Sequence, residues 1–533
     1  MFCKRKSFQA ISMALLAFLL LLPIAGCKNG GAQQGAKEKV LTICCPDDIG
    51  DLDPHTYNSE MFAQAFVYEN LLKYGDNGKI EPKLAESWSI SPDGKEYTFK
   101  LRHGVKFSDG SDFNAAVVKK NYDAVLKARK NHEWLELINQ IADTQAVDDY
   151  TFKIAFKNPY YPALQELTLI RPMCFLALAG FPDGGDTSQT IKKPVGTGPW
   201  VLSEYKKSEY AVFTRNPYYW GVKPKPDKVV VKVIPDGETA TIAFEKNEVD
   251  LLYGTGIISL DSFKQLRDSG KYQTLISKPL TTRVIGLNSN RGPTKELPVR
   301  LALQYGFNKQ AVIDGVFYGT ETRADTLFAT GFPYCNLNLQ PRTYNLDKAR
   351  QLLDDAGWKQ PQGKEFREKD GQALELNLCF DSSDNVQKGI AEIAQDDLKK
   401  IGVKIELVGE ESQSYYKRQK DGTFNMILGE TWGAPYDPHS SVSSMRAPSH
   451  MDYQVQSGLP MKKEIDQKIE QVLLSTDEAS RQKLYADILG TLHDQAVYLP
   501  ISYTTNKVVF HKNVTGVTFE TKNEIPLTGV DIT

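Results

Sequence analysis

The sequence predicts an α/β protein of two mixed lobes, and three observations carry that prediction. From Lys39 to about Pro279, strand-like and helix-like segments alternate. After roughly Leu280 the alternation restarts with a complete strand–helix–strand unit, and the last thirty residues, with their V-V-F-H start, turn strand-like again. Such a chain divides into lobe I over 40–280, lobe II over 281–504 and a return to lobe I over 505–533, crossing between lobes near 280 and near 504. The 533 residues, 41% hydrophobic, suffice for two or three domain-sized units.

Each element has a local reason. Leu41–Cys45 is a short apolar strand, and Met61–Lys73 reads as a helix with Ser59 available as its N-cap. Ser91-Pro92-Asp93-Gly94 is turn chemistry. It precedes a half-buried strand in which Tyr97, Phe99 and Leu101 alternate with Thr98, Lys100 and Arg102. Ala115–Arg129 is helical, Phe152, Ile154 and Phe156 mark a strand, and Val229–Ile234 is another. In the second half, Asn385–Ile401 places Val386, Ile390, Ile393, Leu398 and Ile401 on one face and stops at Gly402. With strands at Leu374–Phe380 and Val403–Val408 it forms the βαβ unit. Helices near 463–475 and 478–494 and a strand at Tyr498–Tyr503 complete the order.

The first 26 residues are set apart. Lys4, Arg5 and Lys6 precede an apolar run from Ile11 to Leu22 that is too short to span a bilayer comfortably, and the pattern is that of a secretory signal. It ends in Ile24-Ala25-Gly26-Cys27, which resembles a bacterial lipobox. The expectation is a lipoprotein signal at 1–26, lipidation of Cys27 and a flexible tether over 27–39. The location is then extracytoplasmic, on a membrane anchor, at a cell surface or in a periplasm. Of the seven cysteines, the five after Cys27 show no C-x-x-C spacing, so neither a disulfide framework nor a zinc site is expected. The net charge of −2 argues against a nucleic-acid partner, which needs a basic face.

Hydrolase, metalloprotease and phosphate-loop signatures are absent from the sequence, and an enzyme is not expected. Asp53-Pro54-His55 and Asp437-Pro438-His439 look like a repeated metal dyad, but Asp-Pro is common turn chemistry. The stretch with most chemical content is 431–453, T-W-G-A-P-Y-D-P-H-S-S-V-S-S-M-R-A-P-S-H-M-D-Y. It has neither helical nor strand spacing and reads as a long structured loop. Two readings stand for it: a ligand-binding loop in which His450 touches a metal, or a surface loop whose aromatics cover a core edge.

Three further stretches carry a resemblance. L-A-E-S-W-S-I-S-P-D-G-K-E-Y-T-F-K-L-R-H-G-V-K-F-S-D-G (84–110), G-T-G-P-W-V-L (196–202) and R-N-P-Y-Y-W-G (215–221) resemble the extracytoplasmic solute-binding proteins of peptide/nickel ABC importers. The resemblance runs from about 40 to 505. It implies a two-lobed, periplasmic-binding-protein-like clamp with mixed sheets, which closes on its ligand about two crossing hinge strands. It also implies a permease with ATPase subunits as partner, a monomeric receptor and no permanently bound cofactor. Within the family, E-M-F-A-Q-A-F-V-Y-E, H-E-W-L-E-L-I-N-Q, A-D-T-L-F-A, T-W-G-A-P-Y-D-P-H and S-S-M-R-A-P-S-H look like the nickel-binding subgroup. The cargo this implies is nickel(II) held by a small carboxylate-rich metallophore, with one protein imidazole, here His450, completing the coordination.

The residues fit that implication. Imidazole suits nickel, and seven histidines with no H-x-x-x-H spacing do not easily build a cage of their own. Arg171, between Ile170 and Pro172, offers a bidentate partner to a metallophore carboxylate, or else forms a structural ion pair. Tyr57, Met61, Trp134, Trp432 and Tyr436 are expected as pocket walls. Asn131 is a secondary position: nickel-binding relatives carry a second arginine there, and an amide is the weaker carboxylate partner, which leaves the metallophore open. The alternatives are a di- or oligopeptide receptor and a receptor for an opine-type metallophore. Against peptides, Pro435 occupies the place where peptide-binding relatives often carry the Asp that pairs with a peptide ammonium.

Overall fold

The computed structural model describes residues 38–254, 256–521 and 524–533. The signal segment, Cys27 and nearly all of the tether lie outside them. Among the described residues no helix is long and apolar enough to cross a membrane.

Three larger sheets organise the chain. The first has seven strands in the order Gln273–Ile276, Lys507–Phe510, Leu251–Tyr253, Val40–Cys45, Lys228–Val233, Tyr210–Arg215 and Trp200–Lys206. Val40–Cys45 runs parallel to Lys228–Val233 with Ile43 opposite Val231, and the outer pairs are antiparallel. The second has six strands, ordered Thr322–Arg323, Tyr498–Tyr503, Thr282–Leu287, Met426–Glu430, Glu375–Asp381 and Lys404–Glu410. A four-stranded antiparallel sheet, Ala85–Ile90, Glu96–Leu101, Thr151–Phe156 and Ile141–Asp148, covers a separate apolar core with the helix Ala115–Lys127. Every strand of the first sheet thus comes from before residue 277 or after 506, and every strand of the second from 282–503. The chain passes between them twice, and the passages are bonded to each other. Leu280 N donates to Thr504 O at 2.9 Å and Thr504 N to Thr281 O at 2.9 Å.

Packing decides these elements. The helix Asn385–Lys399 is capped by Asp384, whose side chain accepts from the Val386 and Gln387 amides, and it buries Ile390, Ala391, Ala394 and Leu398. One buried Leu or Ile contributes about 2 kcal/mol against tenths from helix propensity, so the apolar face fixes where this crossover lies. Its flanking strands Glu375–Asp381 and Lys404–Glu410 pair in parallel, as the βαβ pattern predicts.

Three local expectations need correction. The helix read over 61–73 ends at Val67, and residues 72–74 form a strand. Tertiary bonds override the pattern there: buried Glu69 takes hydrogen bonds from Trp220 Nε1 and Thr197 Oγ1, and Asn70 donates to Leu169 O. Ser59 does not cap that helix, because its hydroxyl donates to Asp51 and accepts from Leu52 N. The stretch 431–453 is not all loop. It contains the helix His439–Ser444 and the start of Met451–Gln456, the first tied down by Ser441 Oγ bonding back to Asp437. The five cysteines of the described chain are all buried and free.

Candidate functional site

Six of the predicted residues come together. The guanidinium of Arg171 lies 5.4 Å over the ring of Tyr57, and Tyr57 meets Trp134 edge-on with centroids 5.8 Å apart. Trp134 lies 6.2 Å from Tyr436, Tyr436 lies 6.0 Å from Trp432, and Trp432 lies 5.9 Å from the imidazole of His450. One continuous aromatic wall therefore runs from a guanidinium to an imidazole. Arg171, Tyr57 and Trp134 come from the chain before residue 277, and the other three from the segment after strand Met426–Glu430. Trp134 is 45% exposed, an unusual cost for an indole unless a partner covers it.

Local sequence explains how each side chain is held. Trp134 follows a tight turn, Arg129–His132, that ends the helix before it. Arg171 sits in extended backbone before the cis peptide bond to Pro172. Trp432 and Tyr436 lie on a turn with cis bonds to Pro435 and Pro438. Buried Asp437 gathers that turn by accepting from Gly433 N at 2.8 Å and from Ser441 Oγ, and burial raises its pKa. Gly433 has φ +80°, and a Cβ there would stand 2.6 Å from Leu280 O. The turn is thus pressed against the first passage between the sheets, where only glycine fits. His450 is the N-cap residue of helix Met451–Gln456.

The two polar ends are held without being consumed. Arg171 Nη1 donates to Ser59 O at 2.5 Å, and among the described residues no carboxylate stands within ion-pair distance of it. Burial lowers its pKa, with Tyr436 and Glu60 acting in the opposite sense. The His450 ring makes no hydrogen bond among the described residues. Asp452, which it faces electrostatically, is already committed to Tyr498 OH at 2.8 Å and Ser444 Oγ at 2.9 Å. No group of three or more His, Cys, Asp or Glu able to hold a metal exists among the described residues. A metal at His450 would need its other ligands from a bound molecule.

Two predicted residues stand apart. Met61 is half-buried and packs against the core under the seven-stranded sheet. Asn131 is exposed on the tight turn, and no ring or hydrogen-bond contact joins its side chain to the wall. Of the two dyads, Asp53 and His55 are structural. His55 N donates to Asp53 Oδ1, and its ring bonds to Thr187 Oγ1 and Asn121 Oδ1. Sequence reasoning missed His132, whose Nδ1 lies 2.7 Å from the Tyr57 hydroxyl. It also missed Glu166, which lies 3.2 Å from His439. Neither bears a local signal, since each is defined by a partner far along the chain.

An aromatic wall drawn from two distant chain segments, with one guanidinium and one imidazole left open among the described residues, is an arrangement suited to holding a small solute. The model for bacterial extracellular solute-binding proteins, family 5, matches residues 79–453, and the chain belongs to that family, a family of binding proteins rather than enzymes. It is 50% identical over 471 residues to the nickel-binding periplasmic protein of Escherichia coli, covering 88% of this chain and 90% of the relative. It is also 50% identical to NikA from Brucella suis, solved in complex with Fe(III)-EDTA. That structure superposes with a TM-score of 0.90 over 93% of this chain and all of the other. Identity to the dipeptide-binding protein of Escherichia coli is 28%, over 90% of this chain and 92% of the relative. The two-lobed α/β clamp expected from the sequence is the fold of these relatives.

Proposed function

We propose that this chain is the receptor of an ABC importer for nickel, captured as a small chelate that bears carboxylates. The observation that carries the reading is the pairing of open ends on one wall. Among the described residues Arg171 has no carboxylate within ion-pair distance and the His450 ring has no hydrogen bond, and Tyr57, Trp134, Tyr436 and Trp432 connect them. A chelate carboxylate meets the Arg171 fork, its organic body lies on the aromatic faces, and His450 completes the coordination of the ion. Such a ligand touches both halves of the wall, so it makes more contacts in a closed clamp than in an open one and biases closure. Lobes divided at 280 and 504 would move about the two bonded passages.

The names of the 50% identical relatives support nickel and metal chelates as cargo. The peptide reading is disfavoured by the turn itself: Pro435 carries no charge, and Asp437 is buried and spent on Gly433 N and Ser441. We place the mature protein outside the cytoplasm, as a monomer anchored through lipidated Cys27, with no resident cofactor, handing its load to a permease driven by ATPase subunits. Titration calorimetry with nickel and excess free histidine, against nickel alone and against dipeptides, tests the reading. Heat only from the nickel–histidine mixture, lost in His450→Ala while the unfolding transition stays put, is the expected result. Heat from dipeptides alone would overturn it.

A further inference from the structure

We infer that His132 is a positioning residue for ligand capture: it accepts a hydrogen bond from the Tyr57 hydroxyl and so fixes the ring that holds Arg171 open. The inference rests on the functional reading above.

Donor and acceptor chemistry orders these hydrogen bonds. Indole nitrogen only donates, so Trp134 Nε1, 2.8 Å from the Tyr57 hydroxyl, gives its hydrogen to that oxygen. Tyr57 has a single proton left, and its other partner is His132 Nδ1 at 2.7 Å. His132 is 1% exposed, and burial holds its imidazole down to about 4, so near neutral pH it is uncharged. In the tautomer protonated at Nε2, Nδ1 is bare and accepts the one proton the Tyr57 hydroxyl can give. The Tyr57 ring packs edge-on against both His132, at 5.6 Å, and Trp134, at 5.8 Å. Two hydrogen bonds and two ring contacts lock its plane, and its face is the surface on which the Arg171 guanidinium rests.

The consequence is chemical. A π-face holds a guanidinium in place without neutralising it, whereas a protein carboxylate would compete with the ligand's. One backbone carbonyl, Ser59 O, fixes the remaining orientation, and the other N–H groups of Arg171 stay available for a planar anion. Without an acceptor at position 132, the Tyr57 proton turns to water or to the incoming carboxylate, the ring loses its fixed plane, and Arg171 loses its rest.

The test uses the full chain and two probes, nickel with excess histidine and Fe(III)-EDTA, with binding followed by calorimetry. His132→Leu should weaken both by about fivefold to tenfold, the worth of one lost buried hydrogen bond. His132→Asn, whose amide oxygen can accept, should restore most of the affinity, which a purely space-filling role would not allow. Tyr57→Phe keeps the half-buried ring but gives up both hydrogen bonds; it should lose at least as much, and in that background Leu and Asn at 132 should bind alike. Tyr57→Phe binding both probes as the unaltered chain does, or Asn failing to rescue folded His132→Leu, overturns the inference. Binding of neither probe by the unaltered chain would instead bring down the functional reading, and this inference with it.

Discussion

Glu166 and His439, each 2% exposed, lie with Oε1 and Nε2 3.2 Å apart across the two halves of the structure. The same carboxylate accepts from Leu137 N at 3.0 Å and Tyr160 OH at 2.9 Å, and Ser440 Oγ reaches it at 3.4 Å. Leu137 lies three residues after Trp134 and Ser440 four after Tyr436, so one buried carboxylate ties together the two segments whose rings meet in the wall. Glu166→Ala should destabilise the chain by about 1–3 kcal/mol, because it leaves the Leu137 amide and the Tyr160 and Ser440 hydroxyls without their buried acceptor. Urea unfolding measures this. Glu166→Gln should cost less, since the amide keeps an acceptor for Leu137 N and Tyr160 OH. Equal midpoints for Glu166→Ala and the unaltered chain would remove the tie.

Arg171→Lys distinguishes a fork from a point charge. Lysine keeps the cation but cannot offer two parallel N–H groups to one carboxylate, nor lie flat on the Tyr57 ring. Affinity for nickel–histidine should fall about tenfold with little change in stability, because among the described residues Arg171 has no carboxylate partner to lose. Undiminished affinity in calorimetry would show that the ligand presents no carboxylate here.

Stability should depend on pH through Asp53. Burial raises its pKa to about 7, and one of its oxygens, Oδ2, has no hydrogen-bond partner among the described residues. A raised carboxyl is more protonated in the folded than in the unfolded chain, so its contribution is full below about 4 and is lost as pH rises towards 7. His55 and His132, both lowered to about 4 by burial, act with the opposite sign: their contribution is full above about 6.5 and is lost as pH falls towards 4. Asp53→Asn, which mimics the neutral acid, should therefore gain on the unaltered chain between pH 5 and pH 8. Parallel stability curves for the two proteins over that range would refute the assignment.

What was legible in the sequence is what periodicity and composition encode. The helix Asn385–Lys399 with its flanking strands was readable because one apolar face and one closing glycine suffice to specify it. His450, Arg171, Trp134, Trp432 and Tyr436 were reached through the family's motifs, and the geometry connects them. Early termination of the helix at Val67 was not readable, because the groups that win Glu69 and Asn70 come from Trp220, Thr197 and Leu169. Nor was the role of His132 or Glu166, since a buried polar residue gains its meaning only from the partner that folding brings to it.

Gly433 tests whether the wall depends on the passage between the sheets. Its φ of +80° lies where a side chain is strained, and a Cβ would meet Leu280 O at 2.6 Å and the Thr281 side chain at 2.8 Å. Neither neighbour can yield easily: Leu280 N and Thr504 N are bonded across the two passages, and Thr281 is fully buried. Gly433→Ala must therefore shift the turn, carrying Trp432 and Tyr436 away from Trp134 and His450. We expect about 1–3 kcal/mol of lost stability from the backbone alone, together with weaker capture of the nickel chelate. The decisive measurement is calorimetry beside urea unfolding of the same variant. A loss of stability with unchanged affinity would mean that the rings are held by Asp437 and Ser441 alone, and that the passage at Leu280 has no hold on the site.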